Sequence, residues 1–308
     1  MPWVNIIFML IILLGSMTTL FMSSWLLCWV LMEIMMLGFY PLYYWGNSRP
    51  SSESLMKYFL IQSLAATLML VPGYLWFSMD TRSEIVGFMF VLFNLLKLGV
   101  FPFHGWVMPV VYGMGYWMFI WVLGVMKMPS LWFMFNFSQE CAESLFFLII
   151  MLSLMSMLVG SMLGLMSTNL RIMLGASSIS HSGWMLLALE YGGGLVYIFS
   201  YMMTMGYTIY SLYMNESIMT MWALMSFSGL PPFMLFWGKF MLVVSLLQSY
   251  LFIPFFMIII LSSVLSLIYY LKFSFFFLLS SSKEITYNMS MSSLLIMLVL
   301  GMSTMLYI

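Results

Sequence analysis

Four ionisable residues lie inside long apolar stretches of the sequence, where a charge is hardest to accommodate. They are Glu33, Lys97, Lys127 and Lys239. A charge at the centre of a bilayer costs at least about 2.5–3.5 kcal/mol, and burial favours the neutral form of both residue types. A buried lysine near a carboxylate can gain or lose a proton when that carboxylate moves, whereas arginine stays protonated. These residues therefore predict the movement of protons or cations.

Two purely structural explanations compete with proton movement. A lysine near a helix end can extend its ammonium to the membrane surface while its stem stays buried, and this alternative is open for Lys127, just before Pro129. Glu33 and Lys97 could also form a static ion pair that only holds two helices together. Because ionisable residues inside membranes are mostly functional, the sequence favours a translocation role for this pair.

A histidine is a further candidate for proton transfer, because imidazole titrates near neutral pH. His181 lies in the serine-rich run SSISHS at 177–182. The serine hydroxyls could extend a hydrogen-bonded wire from the ring. A neutral histidine that bonds a backbone carbonyl is an equal alternative.

The composition places these residues in a membrane protein. Of 308 residues, 64% are hydrophobic and 6% are charged, whereas a soluble domain carries about 25% charged residues. The apolar runs are continuous and about 20 residues long, which is the length of a membrane-crossing helix. Barrel strands would alternate apolar and polar residues instead. The sequence therefore predicts an all-α integral membrane protein.

The same composition argues against several other kinds of site. The formal net charge of +0 provides no basic patch for nucleic acid. Cys28 and Cys141 form no close cluster, so a disulfide framework, a zinc site and an iron–sulfur site are not expected. The 39 methionines indicate a mitochondrial genetic code that reads an isoleucine-like codon as Met, or else drift among apolar residues.

Apolar length and flanking polar residues predict about eleven membrane spans in one polytopic domain, 1–308. Two of the spans are expected to be broken, the fourth by PFHGW at 102–106 and the ninth by SGLPP at 228–232. Proline removes a backbone donor, and paired broken helices in two halves of a chain are typical of a transport site. The predicted spans are about 3–22, 24–45, 55–78, 84–101, 115–137, 144–166, 171–189, 194–214, 217–248, 251–275 and 288–307.

The basic residues outside the spans predict the orientation of the chain. Only Arg82 follows an odd-numbered span, and the loops and helix ends after even-numbered spans carry Arg49, Lys57, Arg171, Lys272 and Lys283. Basic residues collect on the cytoplasmic or matrix side. The N-terminus is therefore expected on the matrix side and the C-terminus on the intermembrane-space side.

Five motifs occur in order between about residues 24 and 245. They are ESLMKYFLIQS at 53–63, LKLGVFPFHGWVMP at 96–109, KMP at 127–129, ASSISHSGWM at 176–185 and SGLPPFMLFWGK at 228–239. Together they resemble the chain 2 family of mitochondrial NADH–ubiquinone oxidoreductase, one of the antiporter-like subunits of respiratory complex I. The resemblance implies an antiporter-like inverted-repeat bundle, with a core at about 24–248 and C-terminal helices at about 251–308.

The resemblance also implies roles for individual residues. Glu33 looks like the family's intramembrane glutamate and Lys97 like its partner lysine. Lys127 resembles the central-axis lysine, Lys239 the terminal lysine on the second broken helix, and His181 the histidine between the central sites. Separating Glu33 from Lys97 would weaken the hold of Lys97 on its proton and push that proton along Lys127 toward Lys239.

For cofactors and partners, the resemblance implies that this chain binds no cofactor and no metal. NADH, FMN, iron–sulfur clusters and ubiquinone would belong to the rest of the complex. The expected partners are other membrane-arm subunits and the lipid bilayer of the mitochondrial inner membrane. Nucleic acid is not expected to bind. Two alternatives stay open, a stand-alone cation/proton antiporter and a scaffold subunit whose buried charges only hold helices together.

Overall fold

A computed structural model of the chain describes residues 2–22, 24–44, 52–79, 81–231, 233–248 and 253–280. All regular secondary structure in these ranges is helical. Helices satisfy backbone N–H and C=O groups within one segment, as lipid requires. The chain divides into two compact units, Met1–Ser156 (unit 1) and Met157–Ile308 (unit 2), and the boundary falls inside a helix. The prediction of an all-α protein is confirmed.

Unit 1 is built from long apolar helices followed by shorter ones. α1 packs along α2, α3 packs along α4, and α7 contacts both α1 and α4. The helices that begin in this unit are α1 (Pro2–Phe21), α2 (Trp25–Tyr44), α3 (Ser52–Phe77), α4 (Glu84–Leu98), α5 (Val107–Gly113), α6 (Tyr116–Phe119), α7 (Met128–Ser138) and α8 (Glu143–Met166).

Unit 2 surrounds a polar helix, α9, in which every residue from 173 to 189 is buried. α10 packs against α9, α11 and α12, and α11 packs along α13. α8 approaches α9 so closely at Gly160 that a Cβ there would overlap the backbone of Ser180. The helices that begin in this unit are α9 (Leu170–Tyr191), α10 (Gly194–Met214), α11 (Ser217–Ser228), α12 (Met234–Gln248) and α13 (Ile253–Ser280).

Eight segments of the described chain are long and apolar enough to cross a membrane. α11 and α12 are apolar but shorter, and α10 falls outside the set because its Tyr, Ser and Thr residues lower its hydropathy. The predicted span at 288–307 lies outside the described residues. The eight segments are Trp3–Phe21, Trp25–Tyr44, Ser52–Phe77, Glu84–Gly113, Tyr116–Ser138, Glu143–Met166, Leu170–Tyr191 and Phe255–Leu279.

The α-helical backbone is interrupted near both proline-containing motifs. α4 ends at Leu98 because Gly99 adopts a left-handed conformation (φ 69°), which is common after a helix C-terminus. A 3-10 turn at 103–106 then leads into α5. In unit 2, α11 ends at Ser228 before the left-handed Gly229 (φ 74°), and α12 starts at Met234.

A third irregular segment differs from the continuous span predicted at 115–137. After the short helix α6, residues 120–124 form a π-helical turn and residues 125–127 a 3-10 turn before α7 begins. Pro129 lies in the first turn of α7, where the missing N–H of proline is tolerated. Lys127 therefore lies at a junction between helical segments and not within a regular helix.

Candidate functional site

Glu33 on α2 and Lys97 on α4 form the ion pair that the sequence suggested. The Lys97 Nζ lies 3.9 Å from the Glu33 Oε1, and the exposed fractions of the two side chains are 5% and 32%. Neither of these two atoms has a hydrogen-bond partner among the described residues. Opposite charges about 4 Å apart attract by roughly 4 kcal/mol at an effective dielectric constant of about 20. The pair is therefore an ion pair without a hydrogen bond, and its attraction halves when the distance doubles.

The backbone around Lys97 is held more firmly than its ammonium group. The Gln62 side chain on α3 donates to the carbonyl oxygen of Lys97 at 3.0 Å, and the Trp106 indole donates to that of Leu96 at 3.1 Å. The last carbonyls of a helix have no partner within it, so these bonds stabilise the end of α4. These two bonds therefore fix the backbone position of Lys97 at the end of α4.

A small cavity of ≈ 10 Å³ lies beside Lys97, which is about the space that the centre of one water molecule requires. Its polar lining comes from Tyr58, Gln62 and Lys97, and its apolar lining includes Met126 and Pro129, which flank Lys127. Methionine side chains are flexible, so this wall can yield. The space beside Lys97 thus reaches the residues next to Lys127.

Lys127 precedes α7 and is 4% exposed, while Lys97 and Lys239 are 6% and 8% exposed. A hydrogen bond joins α4 to α7 near Lys127: the Asn94 side chain donates to the carbonyl oxygen of Ser130 at 3.0 Å. The Ser130 hydroxyl in turn donates to the carbonyl oxygen of Lys127 at 2.9 Å. The alternative in which Lys127 extends to the membrane surface does not agree with this burial.

In unit 2, Lys239 on α12 binds the end of the preceding helix. Its Nζ donates to the carbonyl oxygen of Ser228, the last residue of α11, at 2.9 Å. The same nitrogen lies 5.4 Å from the centroid of the Trp184 ring. A helix C-terminus carries partial negative charge, and an aromatic face attracts a cation. Both contacts stabilise the ammonium form of Lys239.

A larger cavity of ≈ 270 Å³ extends from Lys239 between α12 and α13. Trp184, Ser228 and Lys239 provide its polar end, and the remaining wall is mostly apolar, including Val243 and Ile260. The buried amine of Lys239 therefore borders open space within unit 2.

His181 on α9 lies between two tyrosine hydroxyls. Its Nδ1 lies 2.7 Å from the Tyr197 hydroxyl on α10, and its Nε2 lies 3.1 Å from the Tyr270 hydroxyl on α13. The Ser180 and Ser182 hydroxyls donate to carbonyl oxygens three residues earlier in their own helix. Two tyrosine hydroxyls are thus partners of the imidazole that the sequence did not predict.

The sequence-predicted residues are divided between the two units. Glu33, Lys97 and Lys127 belong to unit 1, and His181 and Lys239 belong to unit 2. Sequence reasoning did not single out the residues that hold them, which are Gln62, Asn94, Trp184, Tyr197 and Tyr270. Gln62 and Asn94 carried a usable signal, since each is a polar residue inside an apolar span. Tyr197 and Tyr270 carried no such signal, because nothing in the sequence distinguishes them from the other tyrosines among the 18 in the chain.

Comparisons with known proteins agree with the motifs. Residues 22–219 match the family model described as NADH:quinone oxidoreductase/Mrp antiporter, TM. The chain is 35% identical over 286 residues to NADH-ubiquinone oxidoreductase chain 2 of Albinaria caerulea, with 92% of each chain covered. It is 31% identical to the protein of the same name from Myxine glutinosa, covering 88% of this chain and 84% of the relative.

Solved structures with low sequence identity share the fold. A chain of respiratory complex I from Thermus thermophilus superposes with a TM-score of 0.74 at 20% identity, covering 97% of this chain and 83% of that one. A chain of the Mrp complex from a Dietzia species gives a TM-score of 0.71 at 19% identity, covering 80% of this chain and 55% of that one. From the family model and these relatives, we conclude that the chain belongs to the NADH:quinone oxidoreductase/Mrp antiporter transmembrane family, among the NADH-ubiquinone oxidoreductase chain 2 proteins.

Proposed function

We propose that this chain is a core membrane subunit of respiratory complex I and takes part in proton translocation across the mitochondrial inner membrane. The relay consists of Glu33, Lys97, Lys127, His181 and Lys239. Electron transfer from NADH to ubiquinone takes place in other subunits, so this chain does no redox chemistry and binds no cofactor. The names of its relatives and the burial of three lysines in apolar segments support this proposal.

The Glu33–Lys97 pair is the observation that carries the proposal. While Glu33 is close, it stabilises the ammonium of Lys97; when it moves away, the apolar surroundings favour the neutral amine. Lengthening the distance from about 4 to about 8 Å removes roughly 2 kcal/mol at an effective dielectric constant of about 20. Moving one charge across a membrane costs about 2.3 kcal/mol per 100 mV. The two quantities are of the same order, so one change of distance can drive one step.

Lys127 receives the proton from Lys97, and Lys239 is the terminal carrier. The bond from Lys239 to the carbonyl of Ser228 and the contact with Trp184 support a stable ammonium there. The cavity between α12 and α13 supports a route by which Lys239 releases its proton.

The finer architecture belongs to the same proposal. The interruptions after α4 and α11 support two broken helices within an antiporter-like inverted-repeat bundle. The basic residues of the loops support an N-terminus on the matrix side and a C-terminus on the intermembrane-space side. The partners are other membrane-arm subunits of complex I and the lipid bilayer.

The relay is tested in the assembled complex with Glu33→Gln and Lys97→Met, each of which removes one charge at nearly constant volume. We expect both variants to assemble and to oxidise NADH, but to pump fewer protons per electron. Lys57→Met is the control. Lys57 pairs with Glu53 at the surface, and such a pair contributes about 0–1 kcal/mol to the free energy of unfolding.

Each other outcome of this experiment has a definite meaning. Failed assembly of both variants would support the scaffold alternative, and unchanged pumping by both would contradict the relay. Cation exchange by the chain reconstituted alone would instead favour the stand-alone antiporter, which the names of the relatives do not favour.

A further inference from the structure

We infer that Tyr197 and Tyr270 are positioning residues that allow His181 to take up and release a proton within unit 2. The inference rests on the proposed function, in which His181 belongs to the relay. Its basis is the position of two hydroxyl groups, one at each nitrogen of the buried imidazole.

The two tyrosines come from different helices and enclose the ring from both sides. Tyr197 on α10 lies 2.7 Å from Nδ1, and Tyr270 on α13 lies 3.1 Å from Nε2. All three side chains are almost completely buried. A buried polar nitrogen without a hydrogen bond costs free energy, so these hydroxyls determine which protonation states of the ring are tolerated.

A hydroxyl group suits this position because it can both donate and accept. In the neutral ring, one tyrosine donates to the bare nitrogen and the other accepts from the N–H group. When a proton is added to the bare nitrogen, the donating hydroxyl turns and accepts instead, so both N–H groups of the imidazolium stay bonded. Releasing that proton reverses the change. A carbonyl oxygen in either place would leave the bare nitrogen of one neutral form unbonded.

Aromatic rings also surround His181. The rings of Tyr201 on α10 and Phe227 on α11 lie 5.2 and 5.6 Å from the imidazole. The ring centroids of Tyr269 and Tyr270 on α13 are 4.4 Å apart. A charge in such aromatic surroundings is costly unless it is hydrogen-bonded.

Lys239 is linked to this cluster through aromatic rings. The Trp184 ring stacks on Tyr197 at a centroid distance of 6.2 Å, and the Lys239 Nζ lies 5.4 Å from the same tryptophan. Lys239 and His181 thus contact the same group of aromatic side chains in unit 2.

The decisive variant is His181→Gln, measured in the assembled complex. A glutamine amide has a donor and an acceptor for the two hydroxyls, but it cannot carry the proton. We expect the variant to assemble at the parental level and to pump fewer protons per electron. Normal pumping by this variant would overturn the inference. So would failed assembly, since the cluster would then serve packing alone.

Tyr197→Phe and Tyr270→Phe test the partners separately. Each removes the acceptor for one N–H group of the imidazolium, and we expect the pumping rate to fall roughly tenfold at unchanged assembly. Tyr43→Phe is the control, because it removes a buried hydroxyl that bonds Ser54 in unit 1. Parental pumping by both unit 2 variants would overturn the inference.

The same series separates this inference from the proposed function. If Lys97→Met stops pumping while the variants at 181, 197 and 270 do not, proton translocation by the chain stands, and the roles of His181 and its two tyrosines are wrong. If Lys97→Met also pumps normally, the proposed function itself is wrong.

Discussion

Gly229 determines whether the ammonium of Lys239 can reach its acceptor. The residue follows the end of α11 with a φ of 74°, a conformation that other residues adopt with strain. A Cβ at this position would lie 2.9 Å from the Cδ and 3.0 Å from the Nζ of Lys239. The glycine therefore both ends the helix and leaves space for the lysine.

We expect Gly229→Ala to displace Lys239 and to lower proton pumping several-fold, with a stability cost of about 1–3 kcal/mol from the backbone strain. Pumping and thermal stability of the assembled complex are the measurements. Gly206→Ala is the control, because a Cβ there meets nothing within 4 Å and the residue lies inside α10. Equal behaviour of the two variants would contradict the role of Gly229.

Gln62 stabilises the end of α4 through the carbonyl of Lys97. Gln62→Leu leaves that buried carbonyl without its partner, which we expect to cost about 1–3 kcal/mol. The measurement is the thermal stability of the assembled complex. Ser63→Ala is the matched control, because that exposed hydroxyl bonds only a carbonyl of its own helix in the described contacts. A loss no larger than that of the control would show that the bond contributes little.

Residue types alone predicted the charged candidates, because a charge in an apolar span is visible in sequence. Glu33 and Lys97 also prove to be neighbours. The tyrosine partners of His181 could not be predicted, since Tyr270 is 89 positions away from it along the chain. Only the packing of α9, α10 and α13 brings these groups together.

At the scale of single helices, the close approach of α8 and α9 sets the environment of His181. Gly160 faces the backbone of Ser180, one residue before His181. Gly160→Ala places a methyl group against backbone that has little freedom to move, and we expect a loss of about 1–3 kcal/mol from overpacking. Thermal dissociation of the assembled complex measures it, again with Gly206→Ala as control. An unchanged stability would mean that the two helices separate at no cost.

The positions of the helices could be predicted far better than their internal irregularities. Apolar length located the spans because lipid sets the length of a crossing helix. Left-handed glycines at 99 and 229 ended α4 and α11 close to the expected breaks. The π-helical and 3-10 turns at 120–127 had only Pro129 as a signal. Such turns depend on tertiary packing more than on local sequence.

At the scale of the whole molecule, each unit contains a helix interruption next to a buried lysine. Lys97 lies before Gly99 in unit 1, and Lys239 bonds the end of α11 in unit 2. The composition predicted the all-α membrane class directly. The single polytopic domain and the inverted repeat stay predictions, as does the absence of a bound cofactor, because none of them follows from the helices within either unit.

The most direct test of the central claim exchanges the charges of the pair, Glu33→Lys together with Lys97→Glu, in the assembled complex. Each single change places two like charges together, and we expect poor assembly, because like charges about 4 Å apart repel by roughly 4 kcal/mol at an effective dielectric constant of about 20. The double variant restores an ion pair between α2 and α4 but puts a carboxylate where the relay needs an amine. We predict restored assembly without restored pumping; full pumping by the double variant would contradict the account and make the pair a static link.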